Sequence, residues 1–293
     1  SDIVADLLDV EAGRLAMMDR LGVDLQVLSL TSPGVQVFDV VRAAELARLA
    51  NDRLAEAIAR HPTRFAGLAT IPVQDPKAAV AELERAMGPL GLNGVIVNSH
   101  TGGRYLDEEA FWPILEAAEA LCAPIYIHPR TLPEAAAAPY QAHNLTGGIW
   151  GYAAETGLHA MRLLASGVLA RYPRLQIVLG HMGEGIPWWL YRIDYMWQLQ
   201  SRRVRRTSNM LPSESFRQHF AITTSGMNDP DALSFCLTKL GPERILWAMD
   251  YPYQEPAETI RWLDEMALDE GVKAAIFGGN AERLFRLTEE SDT

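Results

Sequence analysis

Three apolar runs in this chain each end in a side chain that can hold a metal ion or carry a proton. Pro124-Ile125-Tyr126-Ile127 runs into His128, residues 175–179 run into Gly180-His181-Met182-Gly183-Glu184-Gly185, and Ile245-Leu246-Trp247-Ala248-Met249 runs into Asp250. A neutral imidazole and a carboxylate are suitable ligands for zinc or manganese, and no cysteine is placed to compete. His181 and Glu184 stand three apart in a turn with three glycines. At that spacing the carboxylate either folds back on the imidazole, raising its basicity for acid/base work, or caps the helix that follows. A lone histidine at a strand end is more often a structural hydrogen-bonder. Three such endings in one chain point to a single site at one end of a barrel.

Aromatic and basic residues lie beside these endings. Tyr253 follows Asp250 in Tyr251-Pro252-Tyr253, and Trp150 sits in Ile149-Trp150-Gly151-Tyr152 before a helical segment. Either ring can wall a planar substrate or simply pack a loop. Arg130 and Arg192 have the chemistry to clamp a carboxylate in bidentate fashion. Arg192 lies in a helical segment at 188–199 with Trp188, Trp189, Tyr191, Tyr195 and Trp197, a set that suits a core or a subunit interface. His159 is four residues after Glu155, a spacing that predicts a local pair on one helix face. His61 reads as a helix-terminal residue.

Elements must position these groups, and the pattern alternates strand and helix. Strands are predicted at 24–30, 65–71, 94–98, 124–128, 175–180, 220–224 and 244–249. They are short continuous apolar runs, as parallel strands covered on both faces are. Helices are predicted at 10–21, 42–60, 76–87, 108–121, 155–165, 188–199, 256–265 and 280–287. The 42–60 helix is expected to bury Leu46, Ala50, Leu54 and Ile58, and Asp75 before Pro76 is a good N-cap. This repetition implies a parallel sheet and an α/β fold, the (β/α)8 TIM barrel. Seven strands are counted where eight are needed. The first strand is therefore expected to precede Ser1, or to be poorly replaced by residues 1–9. The polar stretch 200–212, with Arg202, Arg203, Arg205 and Arg206, reads as a solvated loop. No linker divides residues 1–293, so one domain is expected.

The chain has 293 residues, of which 48% are hydrophobic and 22% charged, enough for a large core. Its 26 basic and 37 acidic residues give a net charge of −11, which argues against nucleic acid or an anionic membrane as partner. With two cysteines and no long apolar run, a cytoplasmic protein is expected.

Six stretches carry a resemblance. They are Val27-Leu28-Ser29-Leu30-Thr31, Ile127-His128-Pro129-Arg130, Pro173-Arg174-Leu175, Gly180-His181-Met182-Gly183-Glu184-Gly185, Arg192-Ile193-Asp194 and Asn280-Ala281-Glu282-Arg283-Leu284-Phe285. Through them the sequence resembles, nearly end to end, the amidohydrolase-related metal-dependent decarboxylases of the gamma-resorcylate and 2,3-dihydroxybenzoate type. The resemblance implies a TIM barrel with one divalent metal ion per subunit, zinc or manganese, with magnesium a further option. It implies His128 and Asp250 as metal ligands, joined by an acidic-x-His pair on a strand upstream of Ser1. It implies His181 and Glu184 as a catalytic pair beside Asp250, and Asn98, Arg192 and Tyr253 as substrate-pocket residues, Arg192 in some relatives across a subunit boundary. Trp150 joins them as a candidate wall.

The reading is a non-oxidative decarboxylase that releases CO2 from a small hydroxylated aromatic acid, assembled as a homodimer or homotetramer. Two alternatives stay open. One is a hydrolase or hydratase of the same superfamily acting on a lactone, amide or enol acid. The other is a degenerate, non-catalytic barrel.

Overall fold

Runs of Val, Ile, Leu and Ala become seven parallel strands in a computed structural model that describes residues 3–200 and 208–287. They are β1 Gln26–Ser29, β2 Phe65–Thr70, β3 Gly94–Asn98, β4 Ile125–His128, β5 Ile177–Leu179, β6 Phe220–Thr223 and β7 Ile245–Leu246. Their spatial order is their sequence order. Every residue of β2, β3 and β6 is buried, the mark of a sheet covered on both faces. The strands are shorter than predicted. β7 stops at Leu246 because the Trp247 amide turns away to donate to the Ile276 carbonyl at 2.8 Å.

The twelve principal helices are α1 Ile3–Leu8, α2 Ala12–Leu21, α3 Val40–Arg60, α4 Pro76–Met87, α5 Trp112–Ala120, α6 Glu134–Gln141, α7 Gly151–Ser166, α8 Ile186–Gln200, α9 Pro212–His219, α10 Pro230–Leu240, α11 Pro256–Asp264 and α12 Asn280–Phe285. Asp75 caps α4 as expected, its Oδ1 accepting from the Lys77 and Ala78 amides. α3 rotates its inner face away from the predicted one. Ala43, Ala47, Asn51 and Ala57 are the buried positions. Small residues let the helix lie close to β2, and Asn51 exchanges two hydrogen bonds with Thr70 across that contact, at 2.9 Å each.

The main core lies between sheet and helices. Val95, Val97, Ile125, Ile127 and Leu179 meet Leu83, Ile114, Leu115 and Leu163 there. A smaller cluster of Leu68, Ile96, Val178, Ala221, Leu246 and Phe285 fills the concave side. Strand alternation dictates this sorting. It also puts Tyr126 and His128, two apart on β4, on the concave face.

The sheet curls but does not close. Among the described residues β1 pairs with β2 and β7 with β6, and nothing pairs β1 to β7. Residues Ile3–Leu8 are helical and supply no strand. Side chains cross the seam: Gln26 Nε2 donates to Met249 Sδ at 3.3 Å, and Thr31 Oγ1 lies 3.0 Å from the Tyr253 hydroxyl. Arg202, Arg203, Arg205 and Arg206 lie outside the described residues. No described helix is long and apolar enough to cross a membrane.

Candidate metal and proton-transfer site

The turn after β5 is left-handed throughout. His181, Met182, Gly183, Glu184 and Gly185 have φ of 50°, 53°, 76°, 54° and 75°. Three of them carry side chains, and each non-glycine held there costs of order 1–2 kcal/mol. Gly183 is the position with no room for more, because a Cβ there would stand 2.8 Å from Ile222 Cγ2 and 3.2 Å from Pro187 Cδ. Tight packing on β6 and the start of α8 therefore holds the turn. Its product is a bond from His181 Nδ1 to Glu184 Oε1 at 2.8 Å, with the Glu184 side chain 1% exposed. Of the two sequence readings, the carboxylate folds back on the imidazole and does not cap α8.

Burial pulls the His181 pKa down, but the Glu184 hydrogen bond and the charges of Glu184 and Asp250 outweigh it, leaving it above the ordinary imidazole value. The backbone amide of His181 donates to Ser225 Oγ at 3.2 Å. A chain of hydroxyls continues from Ser225 through Thr223 (2.8 Å) to Tyr126 (3.2 Å).

His128 ends β4 with Nδ1 donating to the Pro129 carbonyl at 2.8 Å. That bond leaves Nε2 with a free lone pair. Burial, with a further push from His181, depresses the pKa to about 4, so the ring is neutral at pH 7. Asp250 follows β7 with φ of 53°. Burial raises its pKa, and His181 partly offsets the rise. A methyl group on Gly226 would stand 3.2 Å from His181 Cδ2 and 3.4 Å from Asp250 Oδ2, so the two side chains converge on one point.

His128, His181, Asp250 and Tyr253 line one cavity of about 760 Å³ that runs from the open seam to the ends of the strands. Leu68, Ile96 and Leu246 supply an apolar floor. Arg14 of α2 is the one Lys or Arg on its described wall. Arg14 is buried, donates to Gln26 Oε1 of β1 at 3.2 Å, and reaches across the seam to stack 4.8 Å above the Tyr251 ring. Neither Arg14 nor the hydroxyls of Tyr126, Thr223 and Ser225 stood out in the sequence. Tyr126 had a signal in its two-residue spacing from His128; Arg14 sits in an ordinary amphipathic helix and had none.

Three candidates fall elsewhere. Asn98 is 1% exposed beside His128 in the β3–β4 register, but its amide nitrogen is turned onto Gly34 of the β1–α3 loop, away from the cavity. Trp150 is 58% exposed in the loop before α7 and lines no part of the cavity. Arg192 is exposed on α8 and lines no part of the cavity. Two local expectations also change. His159 does not pair with Glu155; its Nδ1 meets Ser99 Oγ at 3.1 Å and its Nε2 accepts from the Leu106 amide at 3.1 Å. Arg130 donates Nη1 to the His100 carbonyl at 3.1 Å and is no part of the cavity wall.

The donor set fits part of a divalent-cation site. A neutral imidazole nitrogen and a buried carboxylate are what zinc or manganese takes from protein. Among the described residues no group of three His, Cys, Asp or Glu completes it.

Comparison with known proteins places this chain in a lineage. The family profile described as amidohydrolase matches residues 7–287. The chain belongs to the amidohydrolase family. A gamma-resorcylate decarboxylase from Polaromonas sp. is 38% identical, over 96% of this chain and 89% of the relative. The crystal structure of 5-carboxyvanillate decarboxylase from Sphingomonas paucimobilis superposes with a TM-score of 0.95 at 46% identity, over 97% of this chain and 85% of that one. A dihydroxybenzoic acid decarboxylase from Polaromonas sp., crystallised with manganese and the inhibitor 2-nitroresorcinol, gives 0.93 at 37% identity, over 98% and 89%.

Proposed function

We propose that this amidohydrolase is a divalent-metal-dependent, non-oxidative decarboxylase of a hydroxylated aromatic acid. One observation carries the reading. A neutral His128 Nε2, the Asp250 carboxylate and the imidazole of the His181–Glu184 pair all face one apolar-floored cavity. The named activities of relatives that match nearly the whole chain support it.

His128 and Asp250 would hold the metal. When bound, the cation supplies positive charge that fixes the acid's carboxylate and neighbouring hydroxyl and lowers the cost of anionic charge on the ring. The rest is the work of the chain. Leu68, Ile96 and Leu246 take the flat ring, and Tyr253 closes the side of the slot. His181, basic because Glu184 is at Nδ1, accepts the phenolic proton on its other nitrogen. Asp250, which converges with His181 on the same point of the cavity, is the acid that protonates the ring carbon bearing the carboxylate. CO2 then leaves and aromaticity returns. His181 lies against Asp250 and restores its proton.

Three coarser points belong to the same reading. Residues 1–293 form one domain built on the single sheet. The protein works in the cytoplasm, in keeping with two free cysteines, Cys122 and Cys236. It is a homodimer or homotetramer. α8 presents Trp188, Trp189, Tyr191 and Tyr195 to solvent, more than half-exposed each, around exposed Arg192. Covering that face by a second copy would bury the rings and let Arg192 reach the partner's cavity.

The test is CO2 release from a panel including 2,6-dihydroxybenzoate and 5-carboxyvanillate, with Mn²⁺ or Zn²⁺ supplied. No CO2 from any member sinks the proposal. A product heavier by one water would instead make the chain a hydrolase or hydratase.

A further inference from the structure

A second cavity, of about 700 Å³, lies at the end of the sheet opposite His128, His181 and Asp250. Those three groups end or follow their strands, whereas this cavity gathers residues that precede theirs. Its described wall holds five arginines and no lysine: Arg174 before β5, Arg217 on α9, Arg244 directly before β7, Arg283 on α12 and Arg286 just after it. Glu243 is the one acidic residue on that described wall. The chain as a whole carries a net charge of −11, so a wall this basic runs against its composition.

Neutral partners hold these arginines and leave their charge uncancelled. Arg244 donates Nη1 to Gln176 Oε1 at 2.8 Å and Nη2 to the Gln218 carbonyl at 3.0 Å. Arg217 donates Nε to the Lys239 carbonyl at 2.8 Å. Arg283 donates Nη2 to the Glu243 carbonyl at 2.8 Å and to Asn280 Oδ1 at 3.1 Å. The Glu243 carboxylate folds back over Gly241, where a Cβ would stand 2.6 Å from its Oε2. Among the described residues, Arg174 alone of the five has an acidic partner, Glu119 at 3.8 Å. Burial pulls the Arg244 pKa below the usual guanidinium value; Glu243 opposes the fall and the charge of Arg283 adds to it. Like charges kept this close are relieved by an anion. Arginines whose only task was to tie strand starts together would need no cavity between them. Ala221, Leu246 and Leu284 give the cavity an apolar roof. Leu246 lines the upper cavity as well, so the two lie back to back.

We propose that this lower cavity binds a small organic polyanion, a molecule with at least two oxyanion groups, carboxylate or phosphate, on a short carbon skeleton. The planar guanidinium fork matches both groups in bidentate fashion, which an ammonium does not. Arg244 and Arg283, near enough for one charge to act on the other, form the primary clamp. The remaining arginines take the further negative groups, and the apolar roof takes the skeleton. The volume is that of an ordinary small-molecule site. Binding there uses none of the groups assigned to decarboxylation, so a chain that released no CO2 would keep it.

The test is isothermal titration calorimetry on the full chain with two probes, propane-1,2,3-tricarboxylate for the carboxylate source and fructose 1,6-bisphosphate for the phosphate source. At least one should bind at one site per chain, and which one does tells the two sources apart. Acetate, with a single group, should bind more weakly by about tenfold or more. Arg244→Gln and Arg283→Gln should each weaken the probe that binds by about tenfold or more. Arg283→Lys should recover only part of that loss, because it keeps the charge and loses the fork. Arg283 is exposed, so its variants test the site even where Arg244→Gln fails to fold. A double variant, Arg42→Gln with Arg53→Gln, removes two exposed arginines of α3 outside the cavity and should leave the affinity within about twofold. No binding of either probe overturns the proposal. So does an affinity that Arg283→Gln leaves unchanged, or one that the α3 variant lowers as much as Arg283→Gln does, since net charge alone would then be at work.

Discussion

Glu184→Gln separates the chemistry of the left-handed turn from its fold. Gln keeps the shape of Glu184 and can still accept from His181 Nδ1, but the charge is gone. In the wild type that contact is 2.8 Å long, to a side chain 1% exposed. A hydrogen bond to a charged group contributes about 1.5–3 kcal/mol, and a neutral one about 0.5–1.5. Losing the difference, about 1–1.5 kcal/mol, where His181 must become imidazolium slows kcat by about 5- to 10-fold, at tenfold per 1.36 kcal/mol. Global stability should move by no more than about 1 kcal/mol, because a buried carboxylate with one unpartnered oxygen is also relieved.

The pH behaviour has a definite sign. In the wild type the folded pKa of His181 is raised, so its contribution to stability is full below the unfolded value of about 6.5 and lost as pH rises through the folded value. With Glu184 neutral, burial becomes the leading influence and the folded pKa moves down. The variant is then penalised relative to the wild type as pH falls. Imidazole NMR titration on metal-free protein and urea melts across the pH range measure both effects. A His181 midpoint that stays put or rises in Glu184→Gln would show that the carboxylate does not set the imidazole's basicity.

Gly183→Ala should cost about 1–3 kcal/mol and lower the melting temperature, since φ is 76° and the new methyl would meet Ile222 at 2.8 Å; an unchanged melt would mean that β6 yields. Chelator treatment, and separately His128→Ala, should abolish CO2 release and lower bound metal by mass spectrometry, with the far-UV circular dichroism retained. Full activity in rigorously metal-free protein would remove His128 from the role given to it. Tyr253→Phe removes a hydroxyl that lies 3.0 Å from Thr31 in an exposed position, so stability should shift by less than about 1 kcal/mol while KM rises; an unaffected KM would take Tyr253 out of the slot.

Much of the architecture was legible because its signals are local. Continuous apolar runs told of strands buried on both faces, Asp75-Pro76 told of the start of α4, and His128, His181 and Asp250 stood at strand ends where a parallel barrel gathers its chemistry. The count of seven strands followed from the same runs, and the open seam between β1 and β7 is its spatial counterpart. What the one-dimensional pattern left undecided was direction. Spacing allowed Glu184 to cap a helix or to fold back, and packing of Gly183 on Ile222 settled it by holding five residues left-handed. Asn98, Trp150 and Arg192 have suitable chemistry, but whether each side chain faces the cavity, a loop or solvent is a long-range outcome that residue type does not encode. Arg14, Thr223 and Ser225 were unreadable for a related reason: their surroundings come from elements far apart in the sequence. A residue's identity sets which chemistry is possible. Its environment, which determines protonation, is assembled only when distant segments close around it.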